Sequence, residues 1–371
     1  MLLVPVQRFF ALFLVGTTLF LGVTTARAED SVYQVNGVGV DITAGNEAEA
    51  KAKGIARAKQ LAFDRLLARV TLQEARAGIP SIDSKSLEPM IYGVSIASEK
   101  MSRGQGHYLA RINVSFLPDA VRKWLQTNQV SYAETKSKKL VILPVLQEGA
   151  ANRLWDDGNS WLNAWGQLAL DGGLVPVVLP LGDLSDIATI SASQALEGDQ
   201  ARLDAIAQKY GADGVLLTVA QPRLNDAGEI AQLTVSSRVY AAGWSQSAYN
   251  QSAKAQEGQD AQALMGYSVQ RVLASIEDDW KRRNLIDYSG DRNKMVVTVP
   301  LQSLNDWVTL RNALDRLAVV DHYVLENLST TQAVVALDYL GTTDQLQTAL
   351  AQADMNLHYD TVEQRWTLAL H

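Results

Sequence analysis

The residues best suited to chemistry cluster between positions 155 and 165. Trp155, Asp156, Asp157, Gly158, Asn159, Ser160 and Trp161 are consecutive, and Trp165 follows four residues later. Indole faces stack on sugars and apolar ligands, while carboxylates and carboxamides can fix hydroxyl groups. At i and i+4, Trp161 and Trp165 share one face of a helix. Trp155, Asp156, Asp157, Asn159, Trp161 and Trp165 are therefore the candidate ligand-binding residues. The same pattern also has an architectural reading, with the indoles filling a core and the acidic residues favouring the positive start of a helix. Asp156 and Asp157 are adjacent, so their side chains diverge and do not face a substrate as the two carboxyls of a glycosidase must.

Other reactive constellations do not form. The chain has no Cys, which excludes disulfides, thiolate metal sites and a cysteine nucleophile. His107, His322, His358 and His371 are scattered, with no H-E-x-x-H pattern. There is no G-x-S-x-G elbow and no Walker A sequence, and Gly37-Val38-Gly39 lacks the third glycine of a dinucleotide fingerprint. No catalytic residue, metal ligand or cofactor is assigned. The chain is read as a non-enzymatic binding or assembly factor. The rival reading is a receptor or enzyme for a glycan or small molecule at residues 155–165.

These residues need a scaffold, and composition bounds it. The 371 residues are 47% hydrophobic and 20% charged, a globular composition too long for one small core. Residues 1–28 read as a secretory leader: Arg8, a largely apolar run at 9–23, then Ala26-Arg27-Ala28 as a small-residue cleavage pattern. No Cys is present to carry a lipid anchor, and no later stretch is long and apolar enough to span a bilayer. The expectation is a soluble periplasmic chain from Glu29. The net charge of −7 argues against a strongly basic nucleic-acid binder. Charge is uneven, with residues 29–138 at +3 and residues 139–371 at −12. The basic first part can dock on the acidic remainder or face anionic lipid or cell-wall polymer, and envelope proteins are the expected partners.

Periodicity divides the chain into α+β and α/β domains. Residues 29–135 read as a β-α-β-β-α domain. Its strand at 32–42 bends at Asn36-Gly37, and Asn46 with Glu49 forms a capping-box pattern for a helix striped by Ile55, Ala58, Ala62, Leu66 and Val70. A polar linker spans 131–139. Residues 139–281 read as a central α/β domain with buried strands at 140–145, 174–181 and 214–219, an appended β-hairpin and a closing helix. A charged linker follows at 281–294. Residues 295–371 read as a ferredoxin-like β-α-β-β-α-β domain ending in a strand or small hairpin at 357–370.

Three stretches carry a family resemblance. They are Ala56-Arg57-Ala58-Lys59-Gln60-Leu61-Ala62-Phe63-Asp64-Arg65-Leu66-Leu67, the hairpin leading into residues 114–125, and Leu154-Trp155-Asp156-Asp157-Gly158-Asn159-Ser160-Trp161-Leu162-Asn163-Ala164-Trp165. On these the chain resembles the exported bacterial domain-of-unknown-function family two-thousand-and-sixty-six, over most of its length after the leader. Its first domain also looks like modules of flagellar T-ring assembly proteins. Residues 205–217 are similar to the helix-strand unit of small envelope domains. The resemblance implies a periplasmic envelope factor and supplies no catalytic residues.

Overall fold

Alternating burial sets the first sheet. The computed structural model describes residues 32–102, 106–168, 172–244, 248–256, 258–286 and 292–370. The expected leader, the middle of the first hairpin turn and residues 287–291 lie outside them. Strand β1 (Gln34–Thr43) is followed by helix α1 (Glu47–Val70), a short α2 (Ser84–Leu87), strands β2 (Ile91–Ser102) and β3 (His107–Phe116), and helix α3 (Pro118–Thr127). The sheet is antiparallel in the order β1-β3-β2. Tyr108, Ala110, Ile112, Val114 and Phe116 bury every second side chain of β3 against α1. From α1, Ala50, Gly54, Ala58, Ala62, Leu66 and Val70 are buried at a spacing of four. The small residues in its first half let the helix lie close to the sheet. Ile55 of the expected stripe is only half-buried. Asn46 caps α1 by accepting the Glu49 N–H at 2.9 Å. The Glu49 carboxylate reaches back to Gly45 rather than to Asn46. At Gly37, φ is +64° where the β1–β3 register shifts, and its N–H donates to Asn113 Oδ1 at 2.8 Å.

The second sheet is built on a strand buried along most of its length, β4 (Leu140–Glu148). The chain continues through β5 (Ala151–Arg153), α4 (Ser160–Gly166), β6 (Val177–Val178), α5 (Leu184–Thr189), α6 (Ala192–Glu197) and α7 (Gln200–Lys209). It returns through β7 (Gly214–Leu224), β8 (Ile230–Ala241), β9 (Ala248–Lys254) and α8 (Ala261–Arg283). Strand β4 is parallel to β6 and β7, and β7-β8-β9 run antiparallel beyond them. Both faces are covered. Leu140, Ile142 and Leu146 pack with α4 and α8, and Val141, Leu143 and Val145 pack with Leu203 and Ile206 of α7. The strand expected over 174–181 shrinks to two residues. The N–H groups of Leu174 and Val175 donate to the Glu277 carboxylate, at 3.0 and 2.9 Å, and Pro176 follows with no N–H to give.

The third sheet follows. It comprises β10 (Asn293–Pro300), α9 (Leu304–Leu314), β11 (Val320–Leu328), β12 (Gln332–Tyr339), α10 (Thr343–Gln352), β13 (Met355–Asp360) and β14 (Arg365–Leu370), with the strand order β11-β12-β10-β14-β13. A hairpin, rather than one strand, returns after α10. Its second strand, β14, lies parallel to β10, and β13 is pushed to the edge. Leu357 and Leu368 face each other across the hairpin and both enter the core, so each strand has an apolar face to bury.

The polar stretch expected as the first linker is pinned, as are residues 281–286 of the second. Tyr132, Ala133, Glu134 and Ser137 are buried. The Ala133 N–H donates to Val70 O, the Ile286 N–H to Tyr132 O, both at 2.8 Å, and Trp280 Nε1 to Thr135 O at 2.7 Å. Arg122 grips the Glu134 carboxylate with Nη2 at 2.5 Å and Nε at 3.2 Å. The Tyr33 hydroxyl donates to the same carboxylate. Gln345 Nε2 donates to Arg283 O and Leu285 O at 3.1 and 3.0 Å. These polar side chains and backbone groups make internal hydrogen bonds instead of solvating a free tether. All three sheets belong to one compact unit that begins at Val32.

Lys281 is the most buried charge in these joints, at 2% exposure. Its ammonium donates to Thr71 O at 3.0 Å and Ala68 O at 3.3 Å, at the carbonyl end of α1, and pairs with Asp278 at 2.9 Å. Lys281→Met keeps the packed stem but strands the carbonyls and Asp278. We expect a loss of about 3 kcal/mol in urea unfolding; an unchanged midpoint would contradict this. Beside it, burial pushes the Glu277 carboxyl up from its ordinary 4.5, against the pull of the Val175 and Leu174 N–H groups. The folded state therefore holds that proton to higher pH than the unfolded chain. The stability linked to it is present below 4.5 and lost as pH rises through the folded value. Wild-type unfolding free energy should fall relative to Glu277→Gln over that window, and a pH-independent difference would refute the assignment.

Candidate functional site

The segment from β5 to α4 is organised by Asn159, which is fully buried. Its Oδ1 accepts the Leu162 N–H at 3.0 Å and so caps α4. Its Nδ2 donates to Pro144 O, Arg153 O and Leu154 O, at 2.9, 3.1 and 2.9 Å. One carboxamide thus joins the central strand, the β5 return and the helix start, leaving no polar atom for a ligand. Trp155 is half-buried, with Nε1 donating to Ile190 O at 2.7 Å. Asp156 and Asp157 are exposed.

Trp161 and Trp165 share a helix face as their spacing requires, but that face is turned inward. Both are fully buried and meet edge to face, with ring centroids 5.9 Å apart, in the core with Leu140, Leu216 and Val269. Neither indole N–H has a hydrogen-bond partner. With no exposed surface, neither ring can stack on a sugar. The architectural reading of the two tryptophans is the one realised. The six candidates split into a core pair (Trp161, Trp165), a clamp (Asn159), a half-buried strut (Trp155) and a solvated acidic turn (Asp156, Asp157). They do not converge on one point.

The opposite face of α4 lines a cleft of about 660 Å³. Ser160, Asn163 and Gln167 come from α4 and its end, Leu179 and Leu181 from the chain just beyond β6, and Gln262 from the first turn of α8. This is the carboxyl end of the parallel strands, where open α/β sheets place ligands. Gln262 Nε2 donates to Gln167 Oε1 at 2.6 Å, joining α8 to the end of α4. Among the described residues, none lining the cleft is ionisable. It offers carboxamides, a hydroxyl and aliphatic surface, the groups that match a peptide backbone and apolar side chains.

A buried carboxylate fixes the leucine wall. Asp186, fully buried, accepts the Gly182 N–H at 2.8 Å and the Tyr210 hydroxyl at 2.7 Å, and pairs with Lys209. Tyr210 in turn accepts the Leu181 N–H at 2.9 Å, and burial raises its hydroxyl pKa. The Ser185 hydroxyl and the Asp186 N–H hold Asp183 down at about 2, so it stays charged at the start of α5. Leu181, which lines the cleft, is left 84% exposed, and Leu184, at the start of α5, 85%. Sequence reading missed Gln167, Gln262 and Leu181. Leu179-Pro180-Leu181-Gly182 carried a signal, since a proline and glycine after an apolar run mark chain leaving the sheet.

On α1, the basic residues are largely engaged. Lys51 pairs with Glu99 at 2.9 Å and Lys59 with Glu88 at 2.7 Å. Among the described residues, no group of three or more His, Cys, Asp or Glu is placed to hold a metal ion, and no helix is long and apolar enough to cross a membrane. Asn159→Ala is expected to cost roughly 2 kcal/mol, through a lost cap and three unsatisfied carbonyls. Trp161→Ala should cost about 3–5 kcal/mol as a core cavity. Chemical denaturation checks both, and costs near zero would place these side chains outside the core.

No family model matches the chain, and no curated protein matches it. Solved structures to which it is similar include the lipoprotein GNA1162 of Neisseria meningitidis, at 16% identity over 37% of this chain and 94% of that one, with a TM-score of 0.25. The C-terminal domain of LpoB from Salmonella enterica is similar at 16% identity over 36% and 93%, with a TM-score of 0.21. Formyltetrahydrofolate deformylase of Burkholderia mallei is similar at 8% identity over 66% and 95%, with a TM-score of 0.20. Likenesses this slight assign no activity to the chain.

Proposed function

We propose that this chain is a non-enzymatic binding and assembly factor of the bacterial cell envelope, working in the periplasm. In this reading the cleft beside α4 holds an extended, apolar-rich segment of a partner protein. The observation that carries it is the cleft wall: among the described residues, carboxamides and a hydroxyl among aliphatic side chains, without an ionisable group, with Leu181 exposed at its edge. Such a surface pairs with backbone amides and buries aliphatic side chains. The leader pattern at residues 1–28 and the resemblance to an exported family support the location. The three sheets are taken as three domains, with the last a ferredoxin-like variant whose final strand is a hairpin. Trp161 and Trp165 are fully buried and offer no stacking face.

Gly166 provides the test. A Cβ built there would meet only Leu179 Cδ2, at 3.8 Å. Gly166→Leu therefore fills the cleft without forcing the backbone. A photocrosslinker at Asn163 should capture an envelope protein through one apolar segment. A synthetic peptide of that segment should bind the purified chain, and Gly166→Leu should weaken binding tenfold or more, about 1.4 kcal/mol, at unchanged thermal stability. Peptide binding that ignores Gly166→Leu, or crosslinks scattered over unrelated sequences, would overturn the proposal.

A further inference from the structure

Among the described residues, the third sheet carries its helices on one face. Helices α9 and α10 cover the side bearing Val297, Val299, Val335, Leu337 and Leu368. The register fixes what lies on the other side. Val324 of β11, Ala336 of β12 and Val296 of β10 stand in one row, and Val334, Thr298 and Thr367 stand in the next. Val296 and Val324 are each 50% exposed, while Thr298, in the middle of the same face, is 8% exposed. Small and β-branched side chains make this face flat, as faces that pack sheet against sheet are.

We infer that this face, opposite the helices, is a two-fold interface between copies of the chain. Three observations select a second copy as the occupant. The first is area. Five strands about 4.8 Å apart and roughly eight residues long offer about 600 Å² per copy, or about 1,200 Å² in a pair, which reaches the range of stable dimers. The second is charge. Residues 139–371 hold 16 Lys+Arg against 28 Asp+Glu, so most contacts between copies through this region would repel. This face carries both signs: Lys294 pairs with Asp338 at 3.4 Å in an outer row, and Arg365, paired with Glu363, stands opposite Asp360 in the outer hairpin. The third is position. Strand β10 is the middle strand of five, and Val296 lies near its midpoint. A dyad through the centre of the sheet therefore brings Val296 close to its own copy, as an isologous contact requires. The inference is independent of the cleft, which is built on the second sheet.

Light scattering and sedimentation equilibrium on the purified protein test it. The wild type should show the mass of two chains. Val296→Glu and Val296→Lys should each show one chain, with unchanged circular dichroism and melting, because the side chain is half-exposed. Mixing those two variants should restore the two-chain mass. Val324→Lys, on a neighbouring strand, should reproduce the loss and guards against a local folding defect at position 296. A wild type that stays at one chain at its highest soluble concentration overturns the inference. So do variants that remain dimeric, or a mixture that stays at one chain. Binding of an unrelated protein to a monomeric wild type through this face would count as the first of these failures.

Discussion

One buried ammonium ties the molecule together. Lys281 sits near the end of α8 and donates to the last carbonyls of α1, where the helix dipole is negative and the backbone has acceptors to satisfy. Its neighbour Trp280 holds the strap between the first two sheets, and Glu277, one turn earlier, receives the backbone at Leu174 and Val175. Gly173 is required beside that carboxylate, since a Cβ there would stand 2.0 Å from Glu277 Oε1. The other end of the same helix, more than 20 Å away at 1.5 Å per residue, forms the cleft wall through Gln262. The geometry of the cleft is thus referred, through one rigid rod, to the position of the first sheet.

Much of the fold was written in local pattern. The bend at Gly37, the cap at Asn46, the stripe on α1 and the alternation of β3 follow from steric and periodic rules that act within a few residues. What was not legible depended on partners distant in sequence. Leu174 and Val175 look like strand, but a carboxylate some hundred residues away takes their N–H groups. The polar run at 131–139 looks like a linker because its hydrogen-bond partners lie in α1, α8 and the chain beyond α8. The candidate site shows the same limit. Spacing put Trp161 and Trp165 on one face of α4, but the direction of that face depended on where the sheet lay. Asn159, read as a ligand contact, is spent entirely on carbonyls and a helix start.

The surfaces left open differ in kind. The cleft beside α4 is concave, neutral and small-featured, suited to a segment of chain. The outer face of the third sheet is flat and broad, suited to another sheet. On α1, two of the basic residues, Lys51 and Lys59, are engaged by Glu99 and Glu88.

The placement of β14 has a consequence for how the molecule is assembled. The last strand among the described residues, β14, is an inner strand of its sheet, flanked by β10 and β13. A chain that emerges from its amino end can form β10, β11 and β12 early, but one side of β10 stays vacant until residues 365–370 arrive. Until then that vacant edge displays unpaired backbone groups, the kind that recruit strands from other chains. Pairing of β14 with β10 closes that edge and removes the hazard.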